Sequence, residues 1–208
     1  MGGKKQKEFK DIPEYHINGQ EGEDTTVKVG DCVIMRPDAG ELPYIGKVEK
    51  LFVAGEGKKQ EKIKARWYYR PSEAKGGRRA FHGKAELFLS DHYDEVWAEA
   101  IMGKCRVHSF KKYIQMEDLG ENDFYCRFEY KAQTGAFVPD KVAVYCLCEM
   151  PYNPDDPMVQ CEKCRDWYHL KCVNLTKSTV RKLEVFFCDL CQKEPQETVE
   201  SGDENARS

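Results

Sequence analysis

The sequence predicts a mainly β chain of two modules, a β domain followed by and packed against a small cross-braced finger held by metal. Three observations predict it. From Thr25 onward, short runs of β-branched and aromatic residues are bounded by Gly, Pro or charged turns, and few stretches have the helical period. Between Cys146 and Cys191, eight metal-ligand residues follow at short, regular spacing. Seven of the ten cysteines lie in the last third, so composition alone divides the chain.

Residues 1–22 are polar and glycine-bearing and read as a flexible N-terminal arm. The β domain is expected over 23–140. Its strands are Val27 to Met35, Tyr44 to Val53 and Ile63 to Tyr69, then Leu87 to Leu89, Lys104 to Phe110 and Phe124 to Phe128. A domain of about 115 residues is long enough to bury a core without metal. The best helical stretch is Asp94 to Met102, which places Trp97 in the core. Cys32, Cys105 and Cys126 stand far apart in apolar surroundings, where free cysteine packs as a small hydrophobe. Glu129 to Val144 reads as a linker too short for independent motion, so the modules are expected to keep a fixed relation.

The finger spans 143–194. Its ligands run Cys146, Cys148, then Cys161 and Cys164, then His169 and Cys172, then Cys188 and Cys191. Zinc takes four soft or imidazole ligands in a tetrahedron, so eight ligands make two sites. The histidine stands fifth, which suits a cross-braced arrangement. Cys146, Cys148, His169 and Cys172 then hold the first zinc, and Cys161, Cys164, Cys188 and Cys191 the second. A RING finger usually carries its histidine fourth. With Trp167 two residues before the histidine, the segment resembles a PHD finger. Thr176 to Leu183 predicts a short helix with Thr176 as N-cap. Val185-Phe186-Phe187, before Cys188, is bulkier than most such fingers carry. The acidic tail, 195–208, has too few apolar residues to order itself.

Composition narrows the function classes. The basic, polar start is not a signal peptide, and Gln6 stands where myristoylation expects Ser or Thr. No stretch approaches the roughly eighteen apolar residues of a membrane span. Cysteines at metal spacing imply a reducing compartment, cytosolic or nuclear. The net charge of −3 hides a segregation: Gly55 to Lys84 holds ten Lys and Arg against three Glu. Such a patch suits nucleic acid, or is a solvated loop and strand face.

Arg66 to Val96 reads RWYYRPSEAKGGRRAFHGKAELFLSDHYDEV, and GKCRVHSF follows at Gly103 to Phe110. A WYYRP strand, an ELFLS run with an SDHYDEV turn and a GKC strand, in that order, resemble a BAH domain. Together with FYCRFEY and VAVYC followed by EMPYNPDDPMVQC, nearly the whole chain resembles the plant BAH–PHD histone readers of the Early Bolting in Short Days / Short Life group. The resemblance implies a nuclear chromatin protein that represses transcription, including of floral-transition genes. It implies binding of methylated histone H3 tails, with the BAH module on trimethyl-lysine-27 and the PHD finger on trimethyl-lysine-4. Co-repressors are implied as further partners.

A trimethylammonium has no N–H left to donate, so aromatic faces hold it, at about 0.5–2 kcal/mol per well-placed ring. In the finger the resemblance selects Tyr145, Tyr152, Met158 and Trp167, with Met as the polarizable filler. The other reading of Trp167 is packing in the small zinc-braced core. Met158 to Cys161 would offer an edge to an extended peptide, and Glu149, Asp155, Asp156 and Glu162 an acidic surface for a basic tail. In the BAH module the resemblance selects Tyr44, Trp67 and Tyr69. Strand alternation puts Trp67 and Tyr69 on one face and Tyr68 on the other. On pattern alone a strand Trp is more often core than cage, and it is the resemblance that favours the cage. Asp91 and His92 would hold the peptide, though a turn hydrogen bond serves His92 equally.

No catalytic motif is present, and two zincs with four protein ligands each leave no open position for water, so no enzyme and no small-molecule substrate are expected. The alternative is a nucleosomal DNA-binding protein that uses the basic stretch 58–84, with the finger as a structural module. A scaffold with degenerate pockets is disfavoured by the aromatic set.

Overall fold

The computed structural model describes residues 9–17, 26–55 and 60–193. The expected tail over 195–208 lies outside them, as do Lys58 and Lys59 of the basic stretch. The chain falls into two units, divided between Val142 and Ala143. Among the described residues, no helix is long and apolar enough to cross a membrane.

The first unit is built on an eight-stranded sheet that closes on itself. The unit's strands are β1 (Phe9–Asp11), β2 (Glu14–His16), β3 (Thr26–Lys28), β4 (Cys32–Met35), β5 (Tyr44–Ala54), β6 (Gln60–Tyr69), β7 (Glu86–Trp97), β8 (Ile101–Ser109), β9 (Asp123–Lys131) and β10 (Ala136–Val138). Of these, β2 and β3 pair as a separate two-stranded sheet. The order β5-β4-β8-β9-β7-β6 returns to β5, since β5 and β6 also pair. β9 lies parallel to both β7 and β8, and the other pairs are antiparallel. Closure removes free edges, which would otherwise pair with other chains. One short helix, α1 (Phe110–Tyr113), follows β8, with Ser109 as its N-cap.

Alternation builds the core. Ile63 and Ala65 of β6 are fully buried with Val33, Val48, Leu51 and Ile101, and Trp67 continues that face to its rim. Tyr68 turns the other way into a cluster with Ile45, Leu87 and Cys105, against which Cys32 and Cys126 pack. Burial pushes the Cys105 thiol up to about 12 and the Cys126 thiol to about 11, as inert core sulfurs require. A third cluster gathers Phe88, Phe128 and Tyr130, with Tyr69 and Phe137 against it. Each fully buried side chain of this size contributes about 1.5–3 kcal/mol.

Two buried ion networks fix neighbouring strands. The Glu86 carboxylate, fully buried, accepts from Arg127 Nε (2.9 Å) and Nη2 (2.8 Å), from the Tyr125 hydroxyl and from the Gly83 amide. Asp123 on β9 accepts from His108 Nε2 (2.7 Å), Arg106 Nε (2.9 Å) and the Gly120 amide (2.8 Å). With every acceptor satisfied, neither carboxylate is left as an uncompensated buried charge.

Several expectations are corrected. Part of the arm over 1–22 is strand: β1 pairs with β5, and β2 with β3, while Tyr15 and Ile17 enter the core. Asp94 to Met102 is not a helix. β7 runs through to Trp97, a 3-10 turn covers Ala98–Ala100, and β8 begins at Ile101. Pairing with Lys62 to Ala65 overrides the local helical period. Trp97 is therefore not core: it lies opposite Lys62 on the outer face, 42% exposed, with the Lys62 ammonium 4.1 Å from its ring centroid. Much of the expected linker is sheet, since β10 folds back on β9 through Gly135 at φ +78 and Phe137 enters the third cluster.

The second unit holds two small hairpins, β11 (Val144–Tyr145) with β12 (Met150–Pro151), and β13 (Met158–Gln160) with β14 (Trp167–His169). Two helices, α2 (Lys177–Val180) and α3 (Asp189–Lys193), follow. The Thr176 side chain accepts from the Thr179 amide at 3.1 Å, the expected cap, although the helix is shorter than Thr176 to Leu183. Phe186 packs against Tyr168, with Val185 and Phe187 left exposed.

Candidate functional site

In the finger, the structure gathers the eight expected ligands into two groups, Cys146, Cys148, His169 and Cys172, and Cys161, Cys164, Cys188 and Cys191. Within each group all the ligand atoms lie within 4.8 Å of one another. A tetrahedral zinc with Zn–S of about 2.3 Å sets its sulfurs about 3.8 Å apart. Cys164 and Cys188 Sγ are 3.9 Å apart, and Cys148 Sγ is 3.3 Å from His169 Nδ1, so both donor sets fit zinc. The knuckles need left-handed backbone, which Cys146 (φ 67) and Arg165 (φ 63) supply. The Cys188 amide donates to Cys161 Sγ at 3.4 Å, the kind of contact that steadies a thiolate ligand. The finger's cofactors are two zinc ions, and each group offers four protein ligands for one of them.

The β domain carries a cavity of about 450 Å³ lined by Tyr44, Trp67, Tyr69 and His92, with Tyr68 and four carboxylates, Asp38, Glu41, Glu73 and Asp94. Each wall has a structural cause. Trp67 lies flat because Gly46 stands opposite it in the β5–β6 register: a Cβ there would meet its ring carbons at 3.3 Å. Tyr44 meets Trp67 edge-on, ring centroids 6.1 Å apart at 67°. Its strand start is tied down by Arg70 Nη2, which donates to the Pro43 carbonyl at 2.7 Å. His92 stands perpendicular to Tyr69 at 6.0 Å.

The segment that read as an SDHYDEV turn is a bulge inside β7. Between Arg66↔Tyr93 and Tyr68↔Leu89, β6 advances two residues while β7 advances four. The extra residues re-aim His92 over the cavity, a recurrent use of bulges. Ser90, fully buried, holds the bulge: its hydroxyl donates to the Trp67 carbonyl at 2.8 Å and accepts from the His92 amide at 3.1 Å. Arg66 Nε donates to the Ser90 carbonyl at 2.7 Å.

A hydrogen-bonded chain then links the walls. Trp67 Nε1 donates to Asp94 Oδ2 at 2.8 Å, and His92 Nε2 lies 2.9 Å from the same oxygen. Since a carboxylate only accepts, His92 Nε2 carries a proton toward Asp94, and its Nδ1 lies 2.9 Å from the Tyr69 hydroxyl. The potential here is negative. Asp38 beside Tyr44 holds its phenol above the ordinary value. Burial raises that of Tyr69, followed by Tyr130, Glu73, Asp94 and Asp91. Aromatic faces under a negative potential suit a cation without N–H donors.

Asp91, selected from the sequence, does not line the cavity: its carboxylate accepts from the Ala132 amide at 2.8 Å. Asp38, Glu41, Glu73 and Asp94 were missed by sequence reasoning. Asp94 carried a signal, the odd spacing of polar residues after ELFLS, but a bulge is a property of two strands and one strand does not reveal it.

On the finger, β13–β14 register sets Gln160 opposite Trp167 and Met158 opposite His169, so Met158 and Trp167 share one face. Trp167 is 42% exposed, whereas Tyr168 between it and His169 is buried. Tyr145 lies on β11 opposite Met150, and Tyr152 directly follows β12. The hairpin sheet of β13 and β14 has two strands, so the other edge of β13 carries no strand partner among the described residues.

Three arginines of the basic stretch are committed to protein partners, while Lys64, Lys75, Arg79 and Lys84 stay exposed. Arg66 bonds Ser90 and pairs with Glu129, Arg70 bonds Pro43 and pairs with Glu73, and Arg78 donates to the His82 and Gly83 carbonyls. Those arginines serve the fold rather than phosphates.

Residues 25–141 match the BAH domain family and residues 146–191 the PHD-finger family. The closed sheet and the two-zinc finger are therefore the BAH and PHD modules of a chromatin regulator. The chain is 55% identical over 186 residues to Chromatin remodeling protein EBS of Arabidopsis thaliana, covering 89% of this chain and 77% of that one. It is 46% identical over 191 residues to Chromatin remodeling protein SHL of the same plant, covering 91% and 81%. The chain belongs to this family of plant BAH–PHD chromatin proteins, the Early Bolting in Short Days / Short Life group. A local likeness to Histone lysine demethylase PHF8 of Danio rerio, 37% over 51 residues, covers 24% of this chain and 5% of that enzyme. So short a match carries no demethylase activity across.

Proposed function

We propose that the chain is a nuclear reader of methylated histone H3 tails and not an enzyme. Its BAH module takes trimethyl-lysine-27, its PHD finger takes trimethyl-lysine-4, and together they act in transcriptional repression, including of floral-timing genes. The observation that carries this reading is the BAH cavity: Tyr44, Trp67 and Tyr69 with His92, ringed by four carboxylates. Rings and negative charge without hydrogen-bond donors aimed inward suit a quaternary ammonium such as trimethyl-lysine. On the finger, exposed Trp167 beside Met158, next to the open edge of β13, supports a second pocket with an extended peptide laid along the strand.

Crossed substitutions test the reading by calorimetry on the full chain. Trp67→Ala should abolish binding of the trimethyl-lysine-27 peptide and spare the trimethyl-lysine-4 peptide, and Trp167→Ala should do the reverse. Losing a desolvated ring contact of about 2 kcal/mol is about thirtyfold in affinity. If both peptides respond to Trp167→Ala and neither to Trp67→Ala, the BAH module is only a structural partner.

A further inference from the structure

The loop between β6 and β7 carries cations that neither the cavity nor the finger uses. From Ala74 to Ala85 it holds Lys75, Arg78, Arg79 and Lys84 and no Asp or Glu. The carboxylates that flank it are occupied, Glu73 by Arg70 and Glu86 by Arg127. Lys75, Arg79 and Lys84 are exposed. The backbone beneath them is held at several points. Arg78 Nη1 donates to the His82 carbonyl at 3.1 Å and the Gly83 carbonyl at 2.7 Å. The Arg79 amide donates to His82 Nδ1 at 3.0 Å, and the Lys75 amide to the Tyr130 hydroxyl at 3.0 Å. The Lys75 stem lies against Gly135, where an added Cβ would meet its Cδ at 2.8 Å. A Cβ at Gly76 would lie 3.8 Å from Arg79 Nη2, which sets that guanidinium beside the Lys75–Gly76 backbone. Burial, then Arg127, Arg78 and Arg79, push the His82 imidazole down to about 4. It is therefore neutral near pH 7, and the loop's charge comes from Lys and Arg that do not titrate there.

We propose that Lys75, Arg79 and Lys84 form a phosphate-binding surface that takes the backbone of duplex DNA, a contact separate from the aromatic cavity. It stands whether or not the cavity reads methyl-lysine. The chain's net charge is −3, so attraction to a polyanion has to be local. Cations mounted on a braced loop lose little freedom on binding. A single strand would stack its bases on exposed rings, but the loop's rings turn on one another: Phe81 meets His82 at 4.3 Å, and His82 meets Phe88 at 5.2 Å. A membrane surface would ask for apolar side chains to insert. Besides its cations, the exposed residues between Lys75 and Lys84 are Gly76 and Ala80.

The test is fluorescence anisotropy of a labelled duplex titrated with the full zinc-loaded chain over a range of salt. Each phosphate contact adds about −0.9 to the slope of log K against log salt. Lys75→Gln/Arg79→Gln/Lys84→Gln should therefore flatten the slope by about 2–3 and weaken low-salt binding about tenfold. Arg79→Gln alone, which leaves the Lys75 stem on Gly135, should flatten it by about 1 and serves if the triple variant is destabilised in urea. Lys111→Gln/Lys112→Gln/Lys177→Gln removes the same charge from exposed positions elsewhere and should bind within about twofold of wild type. An equal loss in that control, an unchanged slope in the loop variants, or no duplex binding by wild type overturns the surface. Tighter binding of a single strand, or displacement of the duplex by polyglutamate of equal charge, assigns the loop to another polyanion and overturns it as well.

Discussion

Trp67 and Asp94 face each other across the β6–β7 bulge, the indole Nε1 donating to Oδ2 at 2.8 Å, and the same oxygen receives His92 Nε2 at 2.9 Å. One carboxylate oxygen thereby sets the orientation of two cavity walls and, through His92 Nδ1, of the Tyr69 hydroxyl. Asp94 is a positioning residue for the proposed cage. Asp94→Ala should leave the module folded, because the side chain is half exposed, with a stability loss of about 0.5–1.5 kcal/mol. Affinity for the trimethyl-lysine-27 peptide should fall about tenfold, and Asp94→Asn, which keeps an acceptor, should recover part of it. Calorimetry checks the affinity; an Ala variant that binds like wild type would show that packing alone orients the ring.

Gly46 tests the same wall from behind. A methyl group placed there meets Trp67 Cε3 and Cζ3 at 3.3 Å and the Ala65 side chain at 3.4 Å. Contacts that tight are relieved by tilting the indole, so Gly46→Ala should shift the Trp67 signal in a two-dimensional NMR spectrum and weaken the trimethyl-lysine-27 peptide several-fold. An unmoved indole resonance with unchanged affinity would mean the strand, not the ring, yields.

The finger should hold two zinc ions per chain and depend on them. Structural zinc provides on the order of 10–16 kcal/mol of apparent binding free energy in small finger peptides, more than a core this small supplies. Cys172→Ser removes one of the four first-site ligands, so it should unfold the finger and leave the BAH amide resonances in place. Metal analysis of the folded wild-type chain that returned fewer than two zincs would overturn the ligand assignment.

Asp123 predicts an acid limit for the β domain. His108 Nε2, then the Gly120 amide, then Arg106 hold its carboxyl at about 2, below the ordinary value of about 3.9. Between those values the unfolded chain binds a proton that the folded chain does not. The stabilisation is therefore present above about pH 4 and is lost as pH falls through the folded value. Urea midpoints measured from pH 5 to pH 2 should fall more steeply for wild type than for Asp123→Asn, which should start lower at pH 5. Parallel curves would assign the acid sensitivity to other carboxylates.

By itself the sequence picked out the eight Cys and His that the structure gathers into two groups of four, because metal geometry acts through short local spacings that survive in one dimension. It also determined that Trp67 and Tyr69 share a face opposite Tyr68, since strand alternation is a local rule. Asp94 to Met102 misled because its helical period was outweighed by pairing with β6, a partner about thirty residues away that no local pattern shows. Tertiary structure alone decided that β7 bulges, that Asp94 joins Trp67 to His92, that Asp91 turns away to the Ala132 amide, and that Gly46 leaves room for the indole. Each of these is a relation between two strands, fixed by which residues closure of the sheet brings opposite one another.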